Sequence, residues 1–234
     1  MRCNMKINDK LKKIIIGILF FGLFFIFNSF ITMLLNLFGI DISLLPLIPR
    51  QIIAIIISLI LPTIMFIVYR KELITDIKKI KDNYRKYIEI SVLAYTIGII
   101  LMVVSNLIIQ LCFNQQIAAN EQGVRELLST LPLYMSISAC LIGPFEEEMV
   151  FRKIFKDIIN NKILFIIISG AVFGLLHVIG VSSSLIEMLY FIPYGILGGT
   201  FAYMYVKTDN IWVPILVHII HNTLLVTIQL ITVM

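Results

Sequence analysis

Charge is scarce in this chain: Lys, Arg, Asp and Glu make up 14% of its 234 residues, against 59% hydrophobic residues and a mean hydropathy of +0.99. Soluble globular domains carry about 25% charged residues, so a water-soluble domain is excluded. Cysteine is sparse too. Cys3, Cys112 and Cys140 are scattered without CxxC spacing, which argues against a disulfide framework or a metal knuckle. There are only seven prolines, and no soluble domain fits between the apolar runs. The first run, from Ile14 to Phe38, is longer than the roughly 7–15 residues of a signal-peptide core, so it reads as an uncleaved membrane helix.

What is present is a series of apolar runs close to the roughly 20 residues that cross a bilayer as helix. After the first run they cover 51–69, 88–112, 131–157, 163–178, 185–206 and 211–232. They predict an all-α, polytopic transmembrane helical bundle of about seven spans, with eight as the alternative, enclosing a polar cavity. Along the chain this gives N-terminal helices (1–112), a polar outer linker (113–130) and a C-terminal core (131–234). The linker holds Gln115, Gln116, Asn120, Glu121 and Gln122, and a short amphipathic helix fits there.

Basic residues collect before the first run (Arg2, Lys6, Lys10, Lys12, Lys13), between the second and third (Arg70, Lys71, Lys78, Lys79, Lys81, Arg85, Lys86) and around the turn that follows the fourth (Lys153, Lys156, Lys162). The positive-inside rule puts these segments and the N-terminus in the cytoplasm. Topology thereby accounts for the net charge of +5, and no nucleic-acid partner is expected.

Three of the last four runs contain side chains that the apolar background should exclude. Glu146, Glu147, Glu148 and Arg152 lie in the fourth run, His177 in the fifth, and His218, His221 and Asn222 in the seventh. An ionised side chain at the bilayer centre costs about 2.5–3.5 kcal/mol on insertion scales, so such residues normally face a polar interior and serve a function. A rise of about 1.5 Å per residue puts them at overlapping depths, roughly 10–22 Å from the cytoplasmic ends. Residues four apart share a helix face, which pairs Glu148 with Arg152, His218 with Asn222, and Phe173 with His177. The i+4 neighbour of Glu147 is Phe151, so the spacing gives Glu147 no cation on its own helix face, and Glu146 stands as the alternative. A carboxylate, imidazoles and an amide donor are the parts that water-driven acyl transfer requires. Taken singly, any of them reads equally well as an interhelical hydrogen-bonding residue.

Glu147, Glu148 and Arg152 form EExxxR, Phe173 and His177 form FxxxH, and His218 and Asn222 form HxxxN. In this order, with Gly195, Gly198 and Gly199 upstream of the last, the motifs resemble the CPBP intramembrane proteases. That family includes the type II CAAX prenyl endopeptidases and the bacterial Abi proteins linked to bacteriocin processing and immunity. The resemblance covers about residues 131–225 and implies an intramembrane endopeptidase acting on a membrane-associated protein or peptide. It implies Glu147 as the base that activates water, assisted by His177, with His218 and Asn222 stabilising the oxyanion and Glu148 and Arg152 in support. Lys153 departs from the glycine usual after the arginine.

Glu147, His177 and His218 are also the candidate ligands for zinc or another divalent metal. There is no HExxH helix, however, and the motifs equally suit a metal-free glutamate–histidine mechanism. Two readings from other classes stand beside the protease: a non-catalytic immunity factor or membrane scaffold, and a small proton-coupled transporter, for which internal repeats are expected and none is evident. The richness in Ile, Asn and Lys points to an AT-rich bacterial genome and hence a bacterial cell membrane.

Overall fold

The computed structural model describes residues 2–113 and 117–233, with side chains for 10–113 and 117–232. The side chains of Arg2, Cys3 and Lys6, and Asn114, Gln115 and Gln116 of the linker, lie outside the described residues. Among the described residues all regular structure is helical, as the composition predicts. The helices are α1 (Arg2–Leu37), α2 (Leu47–Phe113), α3 (Ala119–Thr130), α4 (132–158), α5 (Lys162–Leu176), α6 (Phe191–Thr208) and α7 (Trp212–Val233). Helix α4 is a rod in which π-helical segments, Ser138–Ile142 and Met149–Ile154, alternate with α-helix, the backbone staying right-handed helical at each junction. Lys10–Leu37, Leu47–Phe113 and Trp212–Thr232 are long and apolar enough to cross a membrane. The chain is an integral membrane protein with an all-α helical bundle.

These seven helices do not map one to one onto the seven expected spans. Helix α2 takes in both 51–69 and 88–112, together with the basic segment between them. Residues 70–87 contain neither Gly nor Pro, so nothing in that segment breaks the helix. Most of the expected linker is helical as well, forming the amphipathic α3 with Leu128 buried.

The chain divides into two compact units that interleave along the sequence. The first comprises Met1–Glu72, Leu127–Ile158 and Ile219–Met234. In it, Phe21 and Phe24 of α1 pack edge-on against Phe151, with ring centroids 6.4 and 5.5 Å apart. Gly17 lets α1 come close, since a Cβ there would lie 2.6 Å from Ile154 Cγ2. Helix α4 starts with Pro132, whose missing N–H suits a first turn. The next two N–H groups, of Leu133 and Tyr134, donate to Oε1 of buried Gln51 at 2.8 and 3.1 Å. That side chain caps donors that a helix start otherwise leaves unsatisfied.

The second unit comprises Leu73–Glu126 and Ile159–His218. Its core contains Tyr87, Ala94, Leu197, Phe201, Met204 and Val213. Helices α5 and α6 approach backbone to backbone: a Cβ on Gly170 would lie 2.8 Å from the Gly195 carbonyl oxygen, and one on Gly174 would run into the Phe191 carbonyl. At the start of α7, Asn210 Nδ2 donates to the Asp76 carbonyl at 2.7 Å and Trp212 Nε1 to the Leu73 carbonyl at 2.9 Å. The turn between α6 and α7 is closed by Asp209 at φ 47°, a left-handed conformation that Asp tolerates better than most residues.

Candidate active site

Glu146, Glu147, Glu148, Arg152, His221 and Asn222 lie in the first unit, and His177 and His218 in the second. In the first unit, Glu148 and Arg152 are completely buried and their charges meet, with Arg152 Nε 3.1 Å from Glu148 Oε2. Spacing of four predicts this contact, and burial gives it weight: removing one member leaves a buried charge uncompensated. Glu147 sits one position earlier and is half-buried. Its carboxylate folds back along α4, with Oε1 3.8 Å from where a Cβ on Gly143 would stand. His221 is buried and Glu146 half-buried.

Asn222 is held from an unexpected side. Its Nδ2 donates to the Ala139 carbonyl in the first π-helical segment of α4, at 2.8 Å. An amide nitrogen carries two hydrogens, so this anchor leaves the second N–H to donate elsewhere.

In the second unit His177 ends α5 as its C-terminal cap residue. Its Nδ1 lies 2.7 Å from the Phe173 carbonyl oxygen. A carbonyl only accepts, so Nδ1 carries a proton, and in the neutral ring Nε2 is the proton-accepting nitrogen. The imidazole is sandwiched by Phe173, centroid 4.4 Å away, and Tyr194, stacked at 4.6 Å and 24°. His218 is buried, stacked on Phe201 at 4.7 Å and edge-on to Phe173 at 6.0 Å. Phe173 thus touches both histidines of this unit.

Sequence reasoning passed over two groups. Tyr194 carries no motif, yet it covers one face of His177, and its hydroxyl lies 3.5 Å from Asn120 Nδ2. Lys153 reads in the sequence as a departure from the family pattern. In the structure it is buried, with Nζ 2.6 Å from Glu72 Oε2 and 2.7 Å from Asp157 Oδ2, and 5.2 Å from the centre of the Tyr69 ring. Lys13 lies 3.6 and 3.7 Å from the same two carboxylates. The i,i+4 spacing of Lys153 and Asp157 was the available signal.

Zinc or another divalent metal at Glu147, His177 and His218 would require a converging ligand set. Among the described residues no three or more His, Cys, Asp or Glu side chains group so as to hold a metal ion.

Residues 129–224 match the family described as type II CAAX prenyl endopeptidase, Rce1-like. The chain is 33% identical over 114 residues to the putative membrane peptidase YdiL of Bacillus subtilis, a match covering 47% of this chain and 43% of that protein. It is 32% identical over 135 residues to the membrane-embedded CAAX protease MroQ of Staphylococcus aureus, covering 55% of this chain and 52% of that protein. These matches span about half the length of the curated relatives. No solved structure matches. The matched segment contains all three motifs in order, and over residues 129–224 the chain is similar to the type II CAAX prenyl endopeptidases.

Proposed function

We propose that the protein is an intramembrane endopeptidase that hydrolyses a peptide bond of a membrane-associated protein or peptide, near the cytoplasmic side of a bacterial membrane. The observation that carries this reading is the trio EExxxR, FxxxH and HxxxN lying in order within the matched segment. Glu147 takes a proton from water, and the resulting hydroxide adds to the scissile carbonyl carbon. His177 assists through Nε2, the nitrogen that its Phe173 hydrogen bond leaves as the acceptor of the neutral ring. His218 and the second N–H of Asn222 donate to the oxyanion of the tetrahedral intermediate. As the intermediate collapses, the C–N bond breaks and Glu147 returns its proton to the leaving amine. Glu148 and Arg152 hold the helix that carries the base. The N-terminus is cytoplasmic, as the basic segments require.

The chemistry is metal-free in this proposal, because a glutamate bound to a metal is not available as the base and the chain has no HExxH helix.

The test compares membrane peptides by mass spectrometry in cells carrying the native protein, Glu147→Gln or His177→Ala, followed by cleavage of the identified peptide in proteoliposomes. Both variants are expected to fold and to lose about 10²–10⁴-fold in turnover, and His218→Ala and Asn222→Ala about 10²–10³-fold. Chelators should leave the native rate unchanged. Unchanged turnover in both Glu147→Gln and His177→Ala sinks the proposal, and a cellular phenotype preserved in Glu147→Gln moves the protein to the immunity or scaffold class.

A further inference from the structure

The carbonyl that anchors Asn222 is available for a reason written into α4. In an α-helix the Ala139 carbonyl would accept from the N–H four residues on, that of Gly143. The Gly143 N–H instead donates to Ser138, five residues back, as the π-helical segment requires. The next candidate donor along the chain is residue 144, which is a buried proline with no N–H. Both helical donors are thereby diverted or missing, and a backbone carbonyl in that position takes its donor from elsewhere. Asn222, 83 residues away in sequence, supplies it at 2.8 Å. π-Helical segments inside α-helices recur at functional sites, and this one lies directly before the helical segment that carries Glu147.

We propose that Pro144 is a positioning residue: by lacking an N–H it keeps the Ala139 carbonyl outside the hydrogen-bond ladder of α4, so that this carbonyl anchors the Asn222 amide and aims its second N–H. The inference rests on the oxyanion role given to Asn222 above. It explains why a proline, costly within most helices, stands three residues before the candidate base.

The experiment replaces Pro144 with Ala, and in parallel with Gly, each restoring an N–H at position 144. Alanine is the better helix former, so the melting temperature of Pro144→Ala is expected to equal or exceed that of the native protein. Hydrogen exchange of the Asn222 side-chain amide, read by ¹⁵N NMR in detergent and assigned with Asn222→Asp, is expected to quicken by about tenfold, as loss of one hydrogen bond implies. On the peptide whose cleavage requires Glu147, kcat should fall on the order of ten- to hundredfold with KM unchanged, the signature of a misaimed group. Native-like amide exchange and kcat in both variants overturn the proposal, as does loss of folding in both, which would assign Pro144 to the stability of α4. The exchange measurement needs no substrate. If the native protein proves unable to cleave, the proteolytic reading falls, while the exchange rates still decide whether Pro144 sets the anchor of Asn222.

Discussion

The two units hold the polar side chains at and beside their motif residues by opposite means. In the first, carboxylates meet cations: Glu148 with Arg152, and Glu72 and Asp157 with Lys153 and Lys13. In the second, imidazoles lie against rings, His177 between Phe173 and Tyr194 and His218 on Phe201, on a frame where glycines bring two helices together. The difference follows from charge. A carboxylate in a low-dielectric interior is tolerated only with a compensating charge and hydrogen bonds, whereas a neutral imidazole needs orientation and one polar contact. The largest expected effect comes from breaking the ionic side of this comparison. Arg152→Met should destabilise the first unit by about 3–5 kcal/mol, because it strands the buried Glu148 charge. Glu148→Met combined with Arg152→Met should recover most of that loss. The check is folded yield and thermal unfolding in detergent; a single variant as stable as the native protein would show that the pair does not support α4.

The second unit should break by volume. A methyl group at Gly174 would overlap the Phe191 carbonyl and lie 2.7 Å from the Gly195 backbone nitrogen, and backbone cannot move aside as a flexible side chain can. Gly174→Ala is therefore expected to cost about 1–3 kcal/mol and to separate α5, which carries His177, from α6, which carries Tyr194. Gly22, where an added Cβ meets nothing within 4 Å, is the control, and Gly22→Ala should leave the melting temperature unchanged or raise it. Equal melting temperatures for Gly174→Ala and the native protein would remove close backbone contact from the account.

What the sequence made legible was local. The Glu148–Arg152 and Phe173–His177 contacts follow from a spacing of four on a helix, and the helical class follows from the apolar runs. Lys153 was legible only in part: its spacing of four from Asp157 is visible, but its other partner, Glu72, comes from a distant helix, and one residue's departure from a pattern does not say what it departs toward. Asn222 reads as one helical turn from His218, but its anchor on Ala139 depends on a shift in backbone register that side-chain periodicity does not report. The Gly143–Pro144 pair inside an apolar run was the trace of that shift. The continuity of α2 through its basic segment was missed because charge was read as a boundary, whereas helices end at caps and breakers.

The smallest expected effect concerns the edge of the ionic region, where water dilutes it. Burial alone would raise the Glu72 carboxyl above its ordinary pKa of 4.5, but the hydrogen bond and charge of Lys153, helped by Lys13, outweigh burial and hold it below that value. A carboxyl depressed in the folded state stabilises fully above its unfolded value, and that contribution is lost as pH falls through the lowered one. The Glu72 side chain is 44% exposed, so solvent screening limits the contribution to roughly 0.2–1 kcal/mol. Glu72→Gln should therefore melt slightly below the native protein at neutral pH, and the gap should close as pH drops below about 4.5. A series of melting curves across that range checks the sign. A gap that stays constant with pH would mean that Glu72 acts by packing rather than by charge, and that the ionic region is confined to its buried members.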